Sequence, residues 1–239
     1  GNYVVSWREA GMAKSTTVHS LLWISSESRL VSGWSDGGIR TWSYSGANSY
    51  PSWTYESTLS NADRVYNMAW LSGTSSLVTT SPDWPHPKLW SGLGSGSFTY
   101  LTEDLGAGGY GLCPWSHCDA VTGVAKDAAE TRVATSSLDG TLIVWDASTA
   151  NRQAKLSGHG DHVTSVAWLQ SESKIASGSK DYSIKIWDDT GADQSSSSET
   201  LSGHTGQVNA LAWDSTVSAG QLASGASDGY VKLWTCTAR

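Results

Sequence analysis

The sequence predicts an all-β fold in which one small antiparallel sheet is built five times over and the copies are set in a ring. Three observations carry that prediction. An Asp followed six or seven residues later by a Trp recurs at Asp36 and Trp42, Asp83 and Trp90, Asp139 and Trp145, Asp181 and Trp187, and Asp228 and Trp234. The closing tryptophans stand 48, 55, 42 and 47 positions apart by subtraction, and a period of about 40 to 50 residues made of short strands is that of a propeller blade. Ser, Thr, Val, Ile, Trp and Gly dominate the text, and no long window has helical periodicity.

The repeat is plainest between Leu156 and Trp187. Val163, Val166 and Trp168 mark a first strand, residues 175–177 a second and residues 182–187 a third, with polar turns between them. The same text returns between Leu201 and Trp234, and earlier copies run over 18–42, 65–90 and 121–145. A fourth, outer strand is expected between successive meanders, at 52–59, 98–102, 152–156 and 199–201. Five meanders need five outer strands and the linkers supply four, so residues 2–8, NYVVSWR, are expected to pair with the last meander and close the ring. Closure leaves no unpaired inner edge. The expected organisation is one five-bladed domain over 1–239, with four-stranded antiparallel blades at 18–59, 65–102, 121–156, 163–201 and 208–234 plus 2–8. A piece of a longer array, cut at a repeat boundary, is the alternative reading.

Composition narrows the function classes. A net charge of −7 repels phosphate backbones and anionic headgroups, and the basic residues form no local run, which speaks against nucleic acid. The apolar stretches are far shorter than a bilayer crossing, so no membrane insertion is expected. Three cysteines, Cys113, Cys118 and Cys236, are too few and too odd in number for a disulfide framework. The cytoplasm is the better fit to that usage, with a secreted history left open. Cys113, His117 and Cys118 lie close in sequence but lack a fourth ligand, so no metal and no cofactor is expected. The glycine run at 106–111 lacks the flanking strand, helix and Lys of a phosphate loop and reads as an insertion.

Gly158-His159 with Trp187-Asp188, and Gly203-His204 with Trp234, give the text the look of a known signature, and the sequence resembles the WD-repeat β-propeller family. The resemblance implies a buried set of His, Ser or Thr, Asp and Trp in each blade. By position these are His117, Thr135, Asp139 and Trp145, then His159, Ser177, Asp181 and Trp187, then His204, Ser224, Asp228 and Trp234. The first repeat has Lys14 in the His position, with Ser32, Asp36 and Trp42, and the second has Asn61, with Thr79, Asp83 and Trp90. A Trp N–H, a hydroxyl, an imidazole and a carboxylate satisfy one another in sequence, which gives the Ser-His-Asp grouping a structural reason. With no nucleophile elbow and no metal-binding helix motif, no enzyme is expected.

Five of the fourteen tryptophans fall outside the strand logic: Trp7, Trp34, Trp53, Trp84 and Trp115. Trp34, Trp84 and Trp115 flank turns at one end of neighbouring blades, with His86 and the stiffening Pro82, Pro85 and Pro87 beside Trp84, and together would form an aromatic rim. The alternative is that they cover a loosely filled central channel. Family propellers bind through residues at the start of the inner strand and just before the turn Asp. By resemblance those include Arg64, His162, Gln207 and Lys180 on the same rim. The expected function is a non-catalytic module that binds a protein or peptide there, the alternative being a lectin with Trp-lined sites on that face.

Overall fold

The computed structural model describes residues 16–45, 52–61, 63–94, 96–101, 116–170, 172–216 and 220–235. Every regular element among them is a β-strand. The first sheet comprises β1 (Val18–Ile24), β2 (Arg29–Trp34), β3 (Gly38–Ser45) and β4 (Ser52–Ser60), and the second β5 (Asn67–Leu71), β6 (Ser76–Thr80), β7 (Lys88–Trp90) and β8 (Phe98–Tyr100). The third comprises β9 (Val121–Lys126), β10 (Arg132–Ser137), β11 (Thr141–Asp146) and β12 (Arg152–Ser157), and the fourth β13 (Val163–Leu169), β14 (Lys174–Ser179), β15 (Ile184–Asp188) and β16 (Glu199–Leu201). The fifth has three described strands, β17 (Val208–Asp214), β18 (Gln221–Ala226) and β19 (Val231–Thr235). Within each sheet the strands pair antiparallel in chain order. Residues 2–8, expected as the fourth strand of the fifth sheet, lie outside the described residues.

The turns between second and third strands explain why the repeats keep an Asp there. Asp139 accepts from the backbone N–H of Thr141 at 2.9 Å, and Asp181 from that of Ser183 at 2.9 Å, which pins the start of the third strand. The residue after the Asp is left-handed: Gly37, Gly140 and Gly229 have φ of 80°, 81° and 83°. In the fourth sheet the same position is Tyr182, with φ of 72°. A side chain there is strained by roughly 1–3 kcal/mol, a cost that glycine escapes.

Period-two alternation gives each sheet a front face and a back face, and the front of one lies on the back of the one before. Leu77 and Trp90 of the second sheet share a core with Val31 and Ile39 of the first. Trp168, Ile175 and Trp187 of the fourth pack with Ala134, Leu142 and Val144 of the third. At the outer side of that third-to-fourth interface the Arg132 guanidinium bonds both oxygens of Asp189, at 2.7 and 2.6 Å, and lies over the Trp168 ring. The inner strands β1, β5, β9, β13 and β17 line one channel of about 550 Å³. Polar ties cross it from sheet to sheet: the Asn67 amide donates to the Thr122 carbonyl at 2.6 Å and the Thr122 hydroxyl to that of Val163 at 2.7 Å. The Thr164 hydroxyl donates likewise to the Val208 carbonyl.

This is an all-β propeller-like array. The consecutive inner strands pack pairwise from β1 through β17, whereas β1 and β17 do not pack on each other in the same way. The five sheets therefore do not close among the described residues. Two inter-sheet contacts are especially close, because a valine sits over a glycine of the preceding sheet: Val65, two residues before β5, and Val208, the first residue of β17. A Cβ on Gly33 would meet Val65 Cγ1 at 2.5 Å, and one on Gly178 would meet Val208 Cγ1 at 2.6 Å. Gly33→Ala and Gly178→Ala are each expected to lower the unfolding free energy by about 1–3 kcal/mol, measured by urea denaturation.

Candidate functional site

The buried networks come first, because they fix where the rim side chains stand. In the fourth sheet Trp187 Nε1 donates to Ser177 Oγ at 2.8 Å, His159 Nε2 lies 2.7 Å from the same oxygen, and His159 Nδ1 lies 2.8 Å from Asp181 Oδ2. One assignment satisfies every atom: the serine hydroxyl accepts from Trp187 and donates to Nε2, and the neutral ring donates from Nδ1 to the carboxylate. The third sheet repeats this with Trp145, Thr135, His117 and Asp139, and the fifth with Trp234, Ser224, His204 and Asp228. Both ring nitrogens of His117 are thus engaged inside the sheet. Thr135 and Ser177 are fully buried, out of reach of any substrate.

Burial sets the charges as well. Desolvation pushes the His159 pKa down, against the opposing pull of the Asp181 carboxylate. Burial pushes Asp181 and Asp139 upward, but hydrogen bonds outweigh it and hold both below the ordinary carboxylate range. For Asp181 the donors are led by Ser183 and the Gly160 backbone, and for Asp139 by His117. The carboxylates are therefore ionised and His159 neutral near pH 7.

The first two sheets depart from this arrangement. In the first, Ser32 Oγ accepts from Trp34 Nε1 at 2.5 Å, so Trp34, expected on the rim, turns inward to the bond expected of Trp42. Trp42 instead meets the Tyr55 ring edge to face. Arg40, nearly buried, bonds both oxygens of Asp36 at 3.1 and 2.8 Å and lies over the Trp34 ring. Lys14, the residue in the His position, lies outside the described residues.

In the second sheet Trp90 Nε1 still donates to Thr79 Oγ1 at 2.9 Å. Asp83, expected in the same set, faces outward and takes up Arg64, whose backbone N–H and guanidinium both donate to it. Proline explains the difference. In the other four sheets the residue before the turn Asp donates its backbone N–H to the start of the inner strand: Ser35 to Thr17, Leu138 to Ala120, Lys180 to His162 and Ser227 to Gln207, all at 2.8–3.0 Å. Pro82 holds that place in the second sheet and has no N–H to give. Lys88 reaches into the space left, donating to the Asn61 carbonyl at 2.6 Å and to Asp63 at 2.9 Å, against the Phe98 and Tyr100 rings.

The same backbone bonds put the rim candidates at one end of their sheets. His162 and Lys180 are joined by one of them, Gln207 and Ser227 by another, and Arg64 and Asp83 by their ion pair. Trp84 is 39 % exposed and stacks edge to face on His86, which touches Tyr100 in turn. Burial lowers the His86 pKa, with His117 adding a smaller push. Trp115 lies outside the described residues, so the aromatic rim expected of Trp34, Trp84 and Trp115 comes down to Trp84 among those described. The sequence reading missed Tyr182, half exposed on this rim between Lys180 and the network of the fourth sheet. Its signal was present in the text, as an Asp-Tyr pair where the first, third and fifth repeats have Asp-Gly.

Comparison with known families finds matches to the WD domain, G-beta repeat, over residues 113–146, 150–188 and 195–235. Those three segments hold the sheets with the complete His, hydroxyl, Asp and Trp network. No curated protein matches the chain.

Ser177→Ala orphans the Trp187 N–H and His159 Nε2 together and is expected to cost about 2–4 kcal/mol of stability, read by urea denaturation. A pH series gives a second expected outcome. The unfolded chain protonates its histidines below about 6.5 while burial keeps His159 neutral in the fold, so the unfolded state binds more protons. Stability is present above that pH and falls as acid is added, and the urea midpoint is expected to be lower at pH 5 than at pH 7.

Proposed function

Because the chain belongs to the WD-repeat family, we propose that it works as a non-catalytic binding module, holding a protein or peptide partner on the rim where the inner strands begin. One observation carries the reading. Tyr182 keeps a half-exposed aromatic ring in a left-handed turn where three of the four sister turns have glycine, and strain retained at the surface marks a position held for contact. Around it the rim offers what a peptide needs: the Lys180 ammonium, the His162 ring, and the Gln207 and Ser227 polar groups. The net charge of −7 supports a polypeptide over a nucleic acid.

The finer architecture belongs to the same proposal. Residues 2–8 supply the fourth strand of the fifth sheet along the edge of β19 that has no partner strand among the described residues, and bring the array to five closed blades. What supports this is that the fifth sheet has three described strands where the other four sheets have four. A glycan ligand is the second reading, favoured by the exposed Trp84.

Selection from a displayed peptide library tests the module. Peptides that bind the chain are expected to lose at least tenfold in affinity to Tyr182→Gly, a change that removes the ring while relieving the backbone. That variant is expected to be no less stable than the parent. Retained affinity, or the absence of any selected peptide, rejects the reading. Sugar-competable binding on a glycan array that disappears with Trp84→Ala establishes the lectin instead.

A further inference from the structure

The outer edge of the third sheet is covered by the chain itself, and the way it is covered shows what a bare edge can take. Residues 189–198, between the third and outer strands of the fourth sheet, cross to the outer strand of the third. There Gln194 pairs in parallel with Leu156, its N–H donating to the Lys155 carbonyl at 2.9 Å and its carbonyl accepting from the Ser157 N–H at 2.8 Å. Asp193, the residue before, accepts from the Lys155 N–H at 2.7 Å and from the Arg152 guanidinium at 3.3 Å. Backbone bonds and one carboxylate thus hold an extended segment against β12.

The first sheet has the same edge without the cover. β4 pairs with β3 as β12 does with β11, down to a register shift beside the closing Trp, so Tyr55, Thr58 and Ser60 stand where the third sheet has Arg152, Lys155 and Ser157. β4 ends its sheet, with no further strand beside it among the described residues. It runs for nine residues, against three in each of β8 and β16, which makes it the longest outer edge among those described. The segment that would cover it, residues 91–97 of the second sheet, is shorter than residues 189–198. It turns back through the bond from the Ser91 N–H to the Ser97 carbonyl and sends Leu93 into the core of the first two sheets.

Where Arg152 serves Asp193, the first sheet has hydroxyls. Tyr55 is 40 % exposed, and its hydroxyl is bonded to that of Thr58. One of the two O–H groups donates in that bond, and the other is left without an acceptor among the described residues. By register the Thr58 N–H, like that of Lys155, faces away from the sheet. An N–H and an O–H thus stand open beside a bare backbone edge, and such an edge pairs with an extended chain.

We propose that the outer edge of β4 is a strand-docking site for an extended segment of a partner protein, one that places an Asp or Asn just before the bridging residue, as Asp193 stands before Gln194. The side-chain oxygen accepts from the Thr58 N–H and the open hydroxyl, and the next residue bonds the Thr58 carbonyl and the Ser60 N–H. With hydroxyls in place of a guanidinium the site supplies hydrogen bonds without a charge, so an amide oxygen serves as well as a carboxylate. None of the rim residues takes part, and the site stands whether or not the rim binds a peptide.

The chain's own segment is the probe. A capped peptide of residues 190–197, TGADQSSS, is titrated into the isotope-labelled chain and followed by amide chemical shifts. The copy within the chain keeps β12 occupied through its high effective concentration. The Thr58 and Ser60 N–H signals are expected to move saturably, with affinity lowered about tenfold by Asp193→Ala in the peptide and little changed by Asp193→Asn. Thr58→Pro removes the outward N–H at an edge position, where proline is tolerated, and is expected to abolish binding. If that variant does not fold, Tyr55→Phe removes one of the two hydroxyls and is expected to weaken binding. No saturable shift, an equal loss with the Asn peptide, unchanged binding in the folded variants, or shifts at Lys155 and Ser157 in place of Thr58 overturn the proposal. Movement of the Thr58 signal on concentrating the chain alone marks pairing with a second copy and overturns it as well. Peptide binding lost at Tyr182 with the β4 shifts intact counts against the rim module and not against this site.

Discussion

A tryptophan N–H buried in a β-sheet has to find an acceptor, and the organisation of each repeat follows from that requirement. In the third, fourth and fifth sheets the acceptor is a hydroxyl on the middle strand, the hydroxyl then needs an acceptor of its own, and an imidazole anchored to the turn carboxylate provides it. The chain of bonds runs from the third strand to the second, to the segment before the first, and back to the turn. One network therefore ties the segment before the first strand to the paired second and third strands and to the turn between them. A break anywhere leaves polar atoms in a dry interior, where each costs about 1–3 kcal/mol.

The first two sheets show what happens when the imidazole is absent. The Trp-to-hydroxyl bond survives in both, donated by Trp34 and by Trp90, so that is the part of the network the sheet cannot do without. The remainder is rebuilt with cations from the third strand. Arg40 takes the turn carboxylate in one sheet, and Lys88 takes a backbone carbonyl and Asp63 in the other. Both cations lie against aromatic rings, which offsets part of the cost of removing a charge from water.

Much of this was legible in the sequence. The Asp-to-Trp period and the strand alternation follow from residue types and spacing, because local pairing rules decide them, and the three full networks were implied by the resemblance to the WD-repeat family. What the text concealed were choices between equivalent residues. Ser32 takes its bond from Trp34, under the Arg40 guanidinium, and not from the closing Trp42, which meets Tyr55. Asp83 has the right spacing for the network, but Pro82 removes the N–H that holds the turn in place elsewhere, a consequence that shows only once the turn's bonds are traced. Tyr182 reads as an ordinary exposed aromatic until its backbone angle is known.

The polar ties across the channel have a consequence for how damage spreads. Asn67 reaches the third sheet, Thr122 the fourth and Thr164 the fifth, and none of these bonds skips a neighbour. Cooperativity in such an array is a nearest-neighbour property, as in a one-dimensional lattice. Lesions in adjacent sheets are coupled, whereas lesions separated by an intact sheet act as independent events whose free energies sum.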